Sequence, residues 1–384
     1  MKTKLIEAYE KESVEVYNPR LGVIFNGENN MEPVVVENLI DSSPTASQCA
    51  WIYETFLGGG GFETDLSAVN IAPDGSVFPY SPVHFLFDVC EPLSKHQAIP
   101  ILICYNALYE KDHFKIIPNH QVRFGKKDSN DYAGKILVSK KGWGRHLKKD
   151  EIDVFDVYNP NPDVIEAQVE AAGGWDNYKG QILYFNLSNK SLYGRSLILP
   201  AYTFADTENQ LGLYYNSTTK RSFEDITIVR HKAFDKESDK VTFYKNLKEL
   251  SGLENSSSKF VLEDEWNDET KETGKYKFDT IKNEVKPDKF AHFEQASANY
   301  IRKVFKNIPS QLVDYVTGKL GNTSGEDLVK AQGIYNSYIS RDQEKIEILF
   351  RELFRNYKED INPQKLWTIK QYKLMDDGVV NYTV

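Results

Sequence analysis

Towards the C-terminal end, Leu328, Ala331, Tyr335, Tyr338, Asp342, Ile346, Leu349, Leu353 and Tyr357 recur at steps of three and four, with no proline among them. Thr323, Ser324, Gly325 and Glu326 precede the run as a capping box, a hydroxyl and a carboxylate three residues apart that satisfy each other's orphan amides. Asn362 and Pro363 close it. The spacing predicts one helix of about 35 residues, a rod of roughly 50 Å at 1.5 Å per residue. A rod of that length must lean on neighbours, in this chain or in another copy.

The rest of the chain is long enough to supply such neighbours. At roughly 150 residues per domain, 384 residues predict two to three compact units, or one domain carrying a large insertion. Lys and Arg total 47 against 56 Asp and Glu, a formal charge of -9. That balance excludes a free-standing sequence-reading DNA binder, whose affinity would come from neutralising phosphates. Apolar residues make up 40% of the chain and aromatics 13%, which marks it as globular. Cys49, Cys90 and Cys104 show no CxxC spacing and read as buried thiols of a reducing compartment. Glu7 interrupts the N-terminal apolar stretch before signal-peptide length, and no window approaches 18 uninterrupted apolar residues. The expectation is a soluble, intracellular chain.

Local patterns supply further elements. After a short apolar run, Val34, Val35 and Val36, residues 41–45 open a predicted helix carrying Ala50, Trp51, Tyr53, Glu54 and Leu57. Four glycines, Gly58, Gly59, Gly60 and Gly61, end it. Residues 71–82 have the composition of an irregular loop. Residues 101–105 and 114–117 predict a hairpin about a polar turn, and Ile136, Leu137 and Val138 a further strand. Residues 152–158 alternate apolar and acidic side chains, as a half-buried strand does. Asn159, Pro160, Asn161, Pro162 and Asp163 break it and cap a helix over 164–172, and residues 181–187 are again strand-like. This strand, helix, strand order reads as a small α/β module of its own, roughly 150–189. A helix follows from Leu199 towards Tyr215, with Pro200 in its first turn. Beyond it come a strand at 223–229, an amphipathic helix at 239–250 and two strands within 259–282. From Pro287, Phe290, Phe293, Ala296, Tyr300, Ile301, Val304 and Phe305 form one helical stripe up to Ile308 and Pro309.

Common chemistries leave no motif. The glycine run at Gly58 leads into Phe62, Glu63, Thr64 and Asp65, with no lysine to reach a phosphate. The histidines, His84, His96, His113, His120, His146, His231 and His292, include no HExxH, no i,i+4 pair and none near a cysteine in sequence. No GxSxG elbow is present. The densest carboxylates, Glu263, Asp264, Glu265, Asp268 and Glu269, fall in a polar turn, where a solvated face outweighs an acid–base pair. Residues 140–149 interleave lysines, Arg145 and Trp143, a pattern able to touch nucleic acid by charge and stacking, although a solvent-exposed turn or protein-contact loop is favoured in an acidic chain. The expectation is no enzyme, no cofactor and no metal.

Three stretches resemble the portal proteins of tailed bacteriophages, the head-to-tail connectors of one capsid vertex. Gly321-Asn322-Thr323-Ser324-Gly325-Glu326-Asp327-Leu328-Val329-Lys330 is similar to a family pattern of the form GNxSGxxLK. The preceding helix ends in Asn307-Ile308-Pro309. Gly194-Arg195-Ser196 is followed by a helix ending near Tyr215 and Asn216. The resemblance extends over about 99–357.

It implies an α+β, portal-like fold: a mixed wing domain, a small α/β clip insertion, stem helices and a long C-terminal helix. On that layout residues 1–149 are the N-terminal wing region and start of the stem, 150–189 the clip and 190–222 the stem helix. Residues 223–288 are wing strands and the tunnel-loop region, 289–362 channel and crown helices, and 363–384 a C-terminal tail. It also implies a homo-oligomeric ring, usually of twelve copies, around a channel through which double-stranded DNA passes without sequence specificity. The implied partners are the terminase motor, the major capsid protein and a tail adaptor. No membrane is involved, and the location is the virion, assembled in the host cytoplasm. The tunnel loop is expected near 280–288, with 308–322 as the rival placement, so that Lys282, Asn283, Lys286 and Lys289 line the channel. Net acidity repeated around such a ring sums to roughly a hundred negative charges, which repel phosphates and let DNA slide. Two other readings are a polymer-acting hydrolase with a carboxylate pair, and another virion component such as a tail adaptor or baseplate protein.

Overall fold

In the computed structural model the described residues are 17–18, 22–72, 79–127, 132–143, 147, 149–188, 191–221, 226–231, 238, 240–243, 245, 260–263, 276–281, 288–313 and 325–373. The chain divides into two compact units, one of Met1–Ala205 with Ala298–Val384 and the other of Asp206–Ser297.

Unit 1 is built on a six-stranded sheet. Its strands are β3 (Ala98–Tyr105), β4 (Lys111–Ile116), β5 (Val122–Phe124), β6 (Lys135–Val138), β7 (Asp153–Val157) and β8 (Gln181–Asn186), in the order β4-β3-β8-β7-β6-β5. A two-stranded ribbon of β1 (Tyr17–Asn18) and β2 (Val23–Ile24) precedes them. The expected hairpin is present, with Ile101 opposite Ile116 and Cys104 opposite His113. All pairings are antiparallel except β7 with β8. A parallel neighbour needs a long crossover, and the connection here carries the helix α4 (Pro162–Ala172), capped by Asn161 and ended at Gly173 with φ 84°.

Residues 150–189 therefore form strand, helix and strand as expected, but not a module apart. β8 pairs with β3 along six residues, from Ala98 opposite Asn186 to Ile103 opposite Gln181, so this segment supplies the middle of the sheet. Period-two alternation then sends Ile99, Ile101 and Ile103 into one core and Leu102, Ile182 and Tyr184 into another on the opposite face.

Three helices before the sheet and one after it cover the first face. They are α1 (Glu32–Ser42), α2 (Pro44–Gly58), α3 (Pro82–His96) and α8 (Gly325–Leu353). α2 begins where Ser43 Oγ accepts the Ala46 N–H at 3.1 Å and Pro44 sits in the first turn. It stops because Gly59 adopts φ 56°, and a Cβ there would lie 2.0 Å from the Lys370 carbonyl oxygen. The glycine run is thus a seam: the Gly60 N–H donates to Lys370 O and the Lys370 N–H to Gly61 O. Gly194 likewise has no room for a side chain, with Ala98 Cβ 2.4 Å from where its own Cβ would be.

The predicted rod is α8, 29 residues or about 44 Å long. It leans on its own chain. Tyr335, Ile339, Ile346, Phe350 and Leu353 are fully buried, whereas Tyr338, included in the sequence stripe, is half exposed. The helix ends at Leu353 rather than Tyr357 because Asn356 turns to φ 57° and Tyr357 bridges to Lys111. A buried arginine fastens the loop after β2 to the sheet. Arg123 is 1% exposed; its Nη2 donates to Asn30 O at 2.7 Å and its Nη1 to Val122 O at 2.6 Å, while Nε donates to Asn30 Oδ1. Burial pushes its guanidinium down to about 10.

The chain enters unit 2 within α5 (Tyr202–Arg221) and leaves it within α6 (Asp288–Val304). Between them a second sheet runs β10 (Phe260–Glu263), β9 (Ile226–His231), β11 (Tyr276–Ile281), with β9 parallel to β10 and antiparallel to β11. Tyr214 and Tyr215 set their rings 5.0 and 6.2 Å from Phe290, a contact between α5 and α6 within this unit. A short helix, α7 (Ser310–Val313), follows α6 back in unit 1.

Candidate functional site

Of the residues expected to face DNA, Lys282, Asn283 and Lys286 lie outside the described residues, and Lys289 falls in the first turn of α6. Residues 321–324 of the GNTSG stretch and 264–272 of the acidic turn also lie outside them. In the basic stretch, Trp143 is no stacking platform. It is buried, and its indole N–H donates to Gln121 O at 2.7 Å. Lys141 pairs with Glu151 at 2.5 Å. The favoured bland reading, a turn, describes residues 140–143.

The histidines serve local joints. His84 Nδ1 accepts the Ser81 N–H while Ser81 Oγ accepts the His84 N–H, so a histidine completes the capping box of α3. Glu37 on α1 holds His96 at 3.0 Å and has His120 at 3.7 Å; the His96 hydrogen bond keeps its carboxyl below the ordinary range despite partial burial. His113 stands across the β3–β4 ladder from Cys104, a juxtaposition the sequence spacing concealed. Among the described residues no group of three His, Cys, Asp or Glu side chains is placed to hold a metal ion, and no helix is long and apolar enough to cross a membrane.

The most developed polar constellation lies where the sheet meets the end of α8. Lys111, 2% exposed, donates from Nζ to Glu352 O at 2.6 Å and to the Tyr158 hydroxyl at 2.8 Å, and Tyr158 in turn donates to Glu352 Oε1 at 2.7 Å. Burial pushes Lys111 down to about 8, against the pull of Glu352. Burial and the Glu352 hydrogen bond push the Tyr158 phenol up. Beside this network opens a cleft of about 460 Å³ lined by Arg351, Arg355, Asn362, Lys365 and Trp367 among others. Lys111 and Tyr158 thus tie β4 and the loop after β7 to the end of α8.

Larger in extent are the exposed apolar side chains. On α8, Val329, Ile334, Tyr338 and Ile348 are each about half exposed, and on α2 Trp51 is 62% exposed. Trp51 lines a shallow depression of about 250 Å³ with Asp41, Glu54 and Glu91; burial, then the charge of Glu91, pushes Glu54 up to about 7. In unit 2, Leu213, Tyr214 and Phe293 are similarly uncovered. Periodicity located α8 and α2 but not which of their apolar residues face outward.

No protein-family model matches the chain, and no curated protein matches it by sequence. Among solved structures it is similar to a chain of the virion of the native gene transfer agent (GTA) particle. The TM-score is 0.52 at 9% identity, covering 92% of this chain and 86% of that chain. A chain from the neck of the native GTA particle computed with C12 symmetry gives a TM-score of 0.51 at 9% identity, covering 87% of this chain and 82% of that one. An HK97-family phage portal protein from Corynebacterium diphtheriae gives 0.38 at 13% identity, covering 76% and 84%. At these identities the likeness to the two GTA particle chains is one of fold.

Proposed function

We propose that this chain is a portal-type connector subunit, twelve copies of which close into a ring at one vertex of a phage or phage-like particle. The observation that carries the reading is the fold it has in common, along 92% of its length, with a chain of the GTA virion. The stoichiometry is taken from the neck of the native GTA particle, computed with C12 symmetry; that of the empty particle was computed with C6. A closed ring needs each copy to offer two different faces to its neighbours. The uncovered apolar residues of α8 and α2 are candidates for burial there. Double-stranded DNA would pass through the bore, and the terminase motor, the major capsid protein and a tail adaptor would dock on the ring. The role is geometric, and no side chain is assigned to catalysis.

Within this reading the clip moves. Residues 150–189 lie within the unit 1 sheet, whereas Asp206–Ser297 is a separate compact unit that takes in most of α5 and the first part of α6. The part of unit 2 between those helices, with its three-stranded sheet, therefore takes the clip part, α5 and α6 the stem, and the six-stranded sheet with α1, α2 and α3 the wing. Lys282, Asn283, Lys286 and Lys289 remain the proposed DNA-facing residues, with 308–322 as the rival tunnel loop.

Negative-stain imaging and native mass spectrometry of the purified chain test the proposal. Closed rings with a bore of duplex width are expected; a monomer at every concentration overturns it.

A further inference from the structure

Cys104 and His113 are directly opposed residues of β3 and β4, the ladder shifting register immediately after Cys104. Both are partly exposed. The Cys104 thiol first, then Asp112, lifts the His113 imidazole to about 9 against the cost of its partial burial, so His113 carries a positive charge at pH 7. Asp112 Oδ2 lies 2.7 Å from His113 Nδ1, which leaves Nε2 for the sulfur side. The other Asp112 oxygen accepts from Lys358 Nζ at 2.8 Å. Burial alone would raise Asp112, but Lys358 and His113 hold it below the ordinary carboxylate range. Tyr105 and Tyr178, both pushed up chiefly by burial, are two further titratable groups that feel the thiol's charge.

Nucleophile, imidazolium and orienting carboxylate thus stand in one row, and a cation beside a thiol favours the reactive thiolate. The other two cysteines lack it: Cys49 and Cys90 are fully buried, and burial pushes the Cys90 thiol far up. We propose that Cys104 is a covalent modification site for small organic disulfides, with His113 as the cation beside its thiolate and Asp112 as the residue that positions His113. Cys104 attacks one sulfur of the disulfide as its thiolate, with the negative charge offset by the His113 imidazolium. The S–S bond breaks, a Cys104 mixed disulfide forms, and the other half of the disulfide departs as a thiolate that takes a proton from solvent. The exchange consumes one disulfide and one thiol and yields one of each, with no external oxidant. It is independent of the ring reading and needs only the folded chain.

The test uses the full chain and 5,5′-dithiobis(2-nitrobenzoate), an aromatic disulfide, followed by released thiolate and by peptide mass. At pH 7 one equivalent reacts, at Cys104, while Cys49 and Cys90 react only in denaturant. His113→Gln slows the reaction about tenfold at pH 7, and the two rates converge near pH 10, where a thiol ionises unaided. Should His113→Gln expose Cys49 and Cys90, which would report misfolding, Asp112→Asn replaces it, with a smaller slowing over the same pH range. A Cys104 that stays unmodified in the native chain, or one whose rate at pH 7 is unchanged in the folded variants, overturns the proposal.

Discussion

The Tyr53 hydroxyl donates to Asp342 Oδ2 at 2.8 Å, joining α2 to the middle of α8 across 289 residues of sequence. Both residues are buried, and Lys306 reaches the same carboxylate oxygen at 3.1 Å. Burial, then the charge of Asp342, pushes the Tyr53 phenol well up, so its proton stays on the bridge throughout the neutral range. Tyr53→Phe keeps the ring among Phe305 and its neighbours but removes one of the two donors to a buried carboxylate. A loss of about 1–3 kcal/mol is expected, read as a lower urea midpoint at fixed protein concentration. An unchanged midpoint would show that Lys306 alone satisfies Asp342.

Lys111 supplies a pH-dependent counterpart. Its folded pKa of about 8 lies below the ordinary lysine value, so the folded chain holds that proton less well than the unfolded one. The cost of burying the charge is complete below pH 8 and is relieved as pH rises from 8 towards 10.5. Relative to Lys111→Met, the wild-type chain should therefore gain roughly 2 kcal/mol between pH 7 and pH 10. Urea midpoints of the two proteins at both values check this; parallel behaviour would mean the ammonium is solvated.

These two joints show what was legible in the sequence. α2 was readable from Ser43, Pro44 and the glycines after Leu57, because caps and breakers act within a few residues. α8 was readable from its period, although its end was set by Asn356 and the Lys111–Tyr357 bridge, a contact between distant segments. α3 was missed: Pro92 lies inside it, and its capping box uses His84 where Glu or Gln is the familiar signal. α1 reads in the sequence as a short apolar run because Pro33 sits in its first turn and a proline-led valine triplet looks like a strand. The β3–β8 pairing, and with it the place of residues 150–189, depends on register between remote strands, which local alternation does not encode. The same holds for Cys104 and His113.

Glu54 titrates in the opposite sense to Lys111. Burial, then Glu91, raises its folded pKa to about 7, so the folded chain keeps this proton where the unfolded chain has lost it. Its contribution is favourable near pH 4.5 and is lost as pH rises through 7. Glu54→Gln should raise the thermal midpoint at pH 8, with the gain shrinking as pH falls from 7 towards 4.5. The rise is modest because Glu54 is only partly buried and solvent screens it. A gain that grew on acidification would contradict the assignment.

The two placements of the clip make different predictions for internal deletions. Excising residues 153–186 removes β7, α4 and β8, which leaves β3 and β6 with unpaired edges where the sheet was continuous. Open edges of that length template aggregation, so this deletion should give insoluble chain. Excising residues 226–281 and rejoining α5 to α6 through a glycine–serine linker leaves every strand of the six-stranded sheet paired. On the proposed reading the second deletion still assembles into rings visible by negative stain, yet fails to bind the packaging motor in a pull-down with the purified terminase. If the 153–186 deletion instead formed soluble rings that lost the motor, while the 226–281 deletion retained it, the clip would return to residues 150–189.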